Sequence, residues 1–299
     1  MIDAHPTPDS VAVADAQGAE PSYPKVRRVR FRFGEDDSHG KYFVENDIVF
    51  SHFLAALSGA FPPGEEGFIR SVRRVADQIT DPVLKKRVAG FIGQESMHGQ
   101  EHRRLNQKLI EMGYKIGFPD RPSFIEKRIR FEQRLPARLH LAMTAAAEHY
   151  TAVLAEHILS SDEIQAIPGD PEVWQLLNWH ALEELEHKSV AFDVYRAVGG
   201  SERMRLAAMA TMITLSLALG VLALTILLAC DPFARRHPVR LVREAHRLFT
   251  GPMFDGLLPD VAKYLRPKFH PSDIDTAELL QRWQQELFGS QGALLDHLR

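Results

Sequence analysis

The chain has one cysteine, Cys230, in 299 residues. That excludes an intramolecular disulfide, a cysteine-ligated zinc site and an iron–sulfur cluster held by this chain alone, and it fits a reducing compartment. Charge of one sign is also missing. The 36 Lys+Arg against 39 Asp+Glu leave a formal net charge of −3, without the basic excess of a nucleic-acid binder, so no nucleic-acid partner is expected. Gly (19) and Pro (18) are too few for a low-complexity chain. Residues 1–24 are polar and unpatterned and lack the apolar core of a secretory signal. They predict a disordered tail and a chain whose bulk stays cytoplasmic. No strand-like alternation of convincing length is visible, and no internal repeat.

What is present is helical patterning, and the fold class it predicts is all-α. Apolar residues recur at helical spacing over 47–60. Pro62-Pro63-Gly64 then predicts an interruption before a second run from Glu65 to about Ile79. Asp81-Pro82 and Asp170-Pro171 each read as an N-cap followed by an N1 proline, opening helices to about Gly113 and about Val198. The second of these is closed by Gly199-Gly200. Residues 123–160 form another helical region, with Pro136 as a kink or restart, and a last helix is expected over 273–298. Residues 25–34, KVRRVRFRFG, alternate basic and apolar like an extended arm with a solvated face; contact with anionic lipid is the sharper alternative.

Residues 206–230 contain no charged residue. As a helix they would reach about 37 Å, more than the roughly 30 Å hydrocarbon core, and membrane insertion is the favoured reading. A central helix of a soluble bundle is the alternative. Arginines lie on both flanks, so the charge rule for topology gives no orientation, and a tilted, re-entrant or monotopic arrangement stays open. The domain reading is a tail at 1–24, a helical bundle at 25–200, the apolar helix at 206–230 and an amphipathic helical segment at 231–299. The expected location is the cytoplasmic face of the inner membrane.

The chemistry is carried by carboxylates in apolar or small-residue surroundings: Glu65, Glu95, Glu148 (after three alanines) and Glu184. Two belong to Glu-x-x-His pairs, Glu95/His98 and Glu184/His187. Residues three apart share a helix face, so each pair offers an oxygen and a nitrogen to one ion. One Glu from each of two helices and Glu-x-x-His from each of two others describes a ferritin-like four-helix bundle with a dinuclear site, and the chain order here is single, pair, single, pair. One such motif is weak alone; the order and the apolar context give it weight. Buried carboxylates facing one another need a cation or protons. His180 and His102 extend the two stripes. His180 is read as a further ligand and His102 as a residue orienting one. Glu66, Glu183 and Glu186 are read as solvated or supporting neighbours, and Tyr150, Trp174 and Trp179 as packing residues.

The runs Val26–Phe31, Phe91–Arg103 and Trp179–Lys188 resemble bacterial proteins catalogued as predicted metal-dependent hydrolases, over about residues 25–250. The stripe His180-x-x-x-Glu184-x-x-His187 is also similar to the last ligand helix of di-iron arylamine N-oxygenases. By that likeness the metal ligands would be Glu65, Glu95, His98, Glu148, His180, Glu184 and His187. Mixed carboxylate and imidazole ligands suit iron, manganese or zinc, and two ions with iron favoured are expected. The favoured function is O2-dependent oxidation of a hydrophobic or lipid-like substrate at a di-iron site, with electrons from an external donor. The alternatives are hydrolysis by water activated on the two ions, with Glu183 or His102 as proton shuttle, and a non-catalytic metal-binding membrane protein.

Overall fold

The computed structural model describes residues 23–33 and 40–299. The tail expected at 1–24 lies, apart from Tyr23 and Pro24, outside the described residues. The fold is all-α; the described residues hold two isolated β-bridges, Val29 with Leu298 and Val44 with Gly169, and no strand. In chain order the helices are α1 (Ile48–Arg73), α2 (Pro82–Glu111), α3 (Pro122–Arg134), α4 (Ala137–Ser160), α5 (Asp162–Gln165) and α6 (Pro171–His187). They continue with α7 (Val190–Ala197), α8 (Glu202–Cys230), α9 (Pro232–Arg235), α10 (Pro238–Thr250), α11 (Leu257–Ala262) and α12 (Ala277–Phe288).

Both Asp-Pro starts are present: Asp81 and Asp170 accept from the first backbone amides of α2 and α6. Four long helices close a ring, α1 on α2, α2 on α6, α6 on α4 and α4 on α1. Ala145, Ala146 and Ala147 are buried on α4, and their small side chains let its neighbours approach closely. α8 packs over α1 and α4 on the outside of the ring.

Several boundaries differ from the sequence expectation. α1 runs unbroken through Pro62 and Pro63. A proline at 62 removes the amide that would serve the Ser58 carbonyl, and Asn106 Nδ2 on α2 donates to that carbonyl instead, at 3.0 Å. The helix is thus kept whole by a tertiary bond that spacing cannot reveal. Pro136 acts as a restart between α3 and α4. The helix opened by Asp170 ends at His187 and resumes at Val190, its turn residue Lys188 reaching away to the Ile274 carbonyl and Thr276. The last helix is shorter than expected, stopping at Phe288 before Gly289 and Gly292.

The arm at 25–33 is not a free edge. Arg27, Val29, Phe31 and Phe33 are buried, with Arg28 and Arg32 exposed and Arg30 half-buried between them, so the alternation reflects one face docked on the bundle. Gly90 and Gly93 on α2 make the docking possible: a Cβ added at Gly90 would lie 2.4 Å from the Pro24 carbonyl oxygen, and one at Gly93 2.3 Å from Val26. Arg27 is buried in the protein, which removes it from any lipid contact.

Candidate metal centre

Each ring helix sends a carboxylate inward. Glu65 comes from α1, Glu95 from α2, Glu148 from α4 and Glu184 from α6, and all four are buried, as are His98, His180 and His187. These seven side chains form two adjoining groups. In Glu65, His98 and His180, and again in Glu95, Glu184 and His187, one potential ligand atom per residue lies within 4.8 Å of the others. Glu148 joins the second group, its Oε2 3.3 Å from His187 Nε2. Glu184 faces both groups, with Oε1 3.0 Å from His180 Nε2 and 3.5 Å from His187 Nε2.

The inward atoms are short of partners. Both carboxylate oxygens of Glu65, Glu95 and Glu148, together with His98 Nδ1 and His187 Nε2, are buried without a hydrogen bond. Isolated buried carboxylates are costly enough that a fold does not keep several together unless something cationic compensates them. Four carboxylates match the charge of two divalent ions. The donor set of oxygens and imidazole nitrogens suits first-row metals, so the residues present fit a dinuclear centre.

Electrostatics agree. Burial, reinforced by neighbouring carboxylates, pushes Glu65 and Glu148 well above the usual range, and burial also raises Glu95. Burial pushes Glu184 upward too, but His187 and His180 outweigh it and hold it well below its ordinary value. His187 is raised well above its ordinary value, because the pull of Glu184, Glu148 and Glu95 exceeds the cost of burial. Without cations the cluster retains protons that ions would displace.

The outward atoms are fully engaged. His98 Nε2 meets Glu183 Oε2 at 3.0 Å, and Arg27 donates to the other Glu183 oxygen at 2.9 Å. His180 Nδ1 meets His102 Nε2 at 2.8 Å, and His102 Nδ1 meets the Ser58 hydroxyl at 2.8 Å. His187 Nδ1 meets Gln94 Oε1 at 2.9 Å, while Gln94 Nε2 donates to Glu186. Each imidazole thus has one nitrogen held by a polar neighbour and the other aimed into the cluster, which fixes ring orientation and tautomer as metal-binding histidines require. His102 and Glu183, the proton-shuttle candidates, are the residues that contact His180 and His98 from outside the cluster. Burial brings Glu183 up to about 8 against the pull of Arg27.

Glu66 turns outward to Arg70, Arg103 and Arg128. Arg27, Gln94, Ser58 and Asn106 were not singled out from the sequence. Gln94 had a usable signal: it lies four residues before His98, on the same helix face. Arg27 had none, because its partners are more than 150 residues away. Arg27→Ala is expected to weaken metal binding by about 10- to 100-fold in a competition titration with a chromophoric chelator, since Glu183 would no longer be held against His98.

A search of curated proteins and of solved structures finds no match to this chain. One family model matches, over residues 25–275, a span that includes the arm bearing Arg27, all four ring helices and α8. The chain belongs to the family described as predicted metal-dependent hydrolase.

Proposed function

We propose that the chain is a hydrolase whose reaction takes place at two divalent ions held by Glu65, His98 and His180 on one side and by Glu95, Glu148, Glu184 and His187 on the other. The observation that supports this reading best is the convergence of unpartnered buried oxygens and nitrogens in two groups, in a chain of a family described as metal-dependent hydrolases. Two ions so placed would supply Lewis acidity and bring water toward ionisation near neutral pH.

The protein's own residues do the rest. Gln94, His102 and Glu183 keep three imidazoles aimed inward. The Thr151 hydroxyl donates to Glu184 Oε2 and fixes the carboxylate that faces both groups. Phe61 lies against His102 and His180, with ring centroids 4.7 and 4.5 Å away, and Phe91 meets His187 edge-on at 5.0 Å. These rings dry the site and suit an apolar acyl or ester substrate.

A second reading is supported by the ligand set itself. Carboxylates and histidines from four helices are the pattern of ferritin-like di-iron and di-manganese proteins, whose chemistry includes O2-dependent oxidation. Oxygen separates the two readings. The metal-loaded chain is expected to hydrolyse long-chain p-nitrophenyl esters faster than acetate esters, and equally well with and without air. Turnover that requires O2 and a reductant would replace hydrolysis with the oxidative reading.

A further inference from the structure

Among the described residues one helix, α8, is long and apolar enough to cross a membrane, and the structure packs its two ends on the bundle while only 11% of its apolar window is buried. Its buried residues, Arg205, Ala208, Met209, Leu224 and Leu227, lie toward its two ends, and residues 217–222 between them are exposed all round. Arg205 ties the N-terminal end, donating to Glu202 and to the carbonyls of Tyr264 and Arg266. Asp231 ties the other end, taking Lys41 Nζ at 2.8 Å and the Tyr42 hydroxyl at 3.0 Å. Both ends are fixed to one body. A spanning helix separates its ends across about 30 Å of hydrocarbon and takes everything packed along it into the bilayer. Here that would be α1 and α4 with the bundle behind them, in a chain that is 25% charged. Charged surface in hydrocarbon opposes such an arrangement.

The outer face of α8 is apolar. Leu215, Leu217, Leu222 and Ile226 are exposed, and Leu219 and Val221 are 59% and 61% exposed. The segment that follows is basic: residues 231–250 contain five arginines against Asp231 and Glu244, in a chain whose formal net charge is −3. α10 turns Glu244 and Leu248 inward and leaves Val239 82% and Val242 72% exposed, next to exposed Arg243. Arg235 and Arg236 are exposed as well. Apolar side chains interleaved with arginines complement an anionic interface. A second copy would set arginine against arginine.

We propose that α8 and α10 form a docking surface for an anionic lipid bilayer, with α8 lying in the plane of one leaflet and Arg235, Arg236 and Arg243 at its headgroups. The inner side of α8 covers α1 and α4, the helices that carry Glu65 and Glu148, so docking brings the metal centre within one helix of the lipid. The docking does not depend on which reaction the centre performs.

The full chain is tested by flotation with vesicles of phosphatidylcholine alone and of phosphatidylcholine mixed with phosphatidylglycerol. It is expected to bind both, with tighter and salt-sensitive binding to the anionic vesicles. Arg235→Glu, Arg236→Glu and Arg243→Glu together should weaken binding to the anionic vesicles at least about tenfold while the metal content is unchanged. Leu219→Gln with Leu222→Gln should lower flotation on both. Sidedness comes from the lone cysteine: in a Cys230→Ser background, Arg203→Cys and Arg236→Cys should react with a membrane-impermeant maleimide from the same side of cell-derived vesicles. Labelling from opposite sides would establish a spanning helix and overturn the proposal. Absence of flotation, with or without a dimer detected by light scattering, would overturn it too.

Discussion

Removing the metal is expected to lower the unfolding midpoint of the purified chain by about 10 °C and to reverse the pH dependence of its stability. The size follows from linkage. Two ions, each present at about thirty times its dissociation constant, together stabilise by about 4 kcal/mol, and for a chain of this length each kcal/mol moves the midpoint by about 2–4 °C. The reversal follows from the buried carboxylates. Glu65 and Glu148 have folded values well above their ordinary ones, and so does His187. A group whose folded pKa is raised contributes stability below its unfolded value and loses it as pH rises through the folded value. His98 and His102 are shifted down by burial and work in the opposite sense, but only below the ordinary histidine value of about 6.5. Above about pH 6.5 those two histidines no longer contribute, and the raised groups make the metal-free chain lose stability as pH increases. The loaded chain gains over the same range, because the ions compete with protons for the same atoms. Thermal unfolding at about pH 6.5 and about pH 8.5, with and without chelator, measures both slopes. Parallel slopes would mean that the cluster holds no ions.

The helices were legible where local chemistry determines them. Asp81-Pro82 and Asp170-Pro171 combine a side-chain cap with a residue that needs no amide partner, and both mark helix starts in the structure. The inward carboxylates were legible for a related reason: a glutamate among alanines, or three residues from a histidine on a helix, makes little sense on a solvated face. What escaped was decided by residues distant in sequence. Pro62 and Pro63 predict a break, and the helix continues because Asn106, on the next helix, serves the Ser58 carbonyl. Arg27 looks like one basic residue among several in an exposed arm, and its burial depends on Glu183 and Glu186 from α6. The uniform apolarity of 206–230 hides which side meets protein, because leucine and alanine serve lipid and core equally. Only Arg205 and Asp231, tied to partners elsewhere in the fold, show that α8 is clamped at both ends.

Single ligand deletions should remove ions in a pattern set by position. Glu65 belongs to the group with His98 and His180, and Glu95 to the group with Glu184 and His187. Glu65→Ala and Glu95→Ala are each expected to leave one ion per chain, measured by inductively coupled plasma mass spectrometry after gel filtration. Glu184 is different. Its Oε1 lies 3.0 Å from His180 Nε2, in the first group, and 3.5 Å from His187 Nε2, in the second. A carboxylate so placed can bridge, and its loss also removes the anion that opposes the burial of His187. Glu184→Ala should therefore cost both ions, with affinity down by well over the roughly 100-fold that an orienting residue accounts for. Glu66→Ala is the control: Glu66 is half-buried and paired outward with Arg103 and Arg128, and its replacement should leave both ions in place. Full occupancy in both Glu95→Ala and Glu184→Ala would remove the dinuclear centre from the account. A loss of one ion from Glu184→Ala would keep the centre and deny Glu184 its bridging place. The same variants report on the reaction, because a chain that keeps one ion and its fold but loses ester hydrolysis ties turnover to the pair of ions and not to either alone.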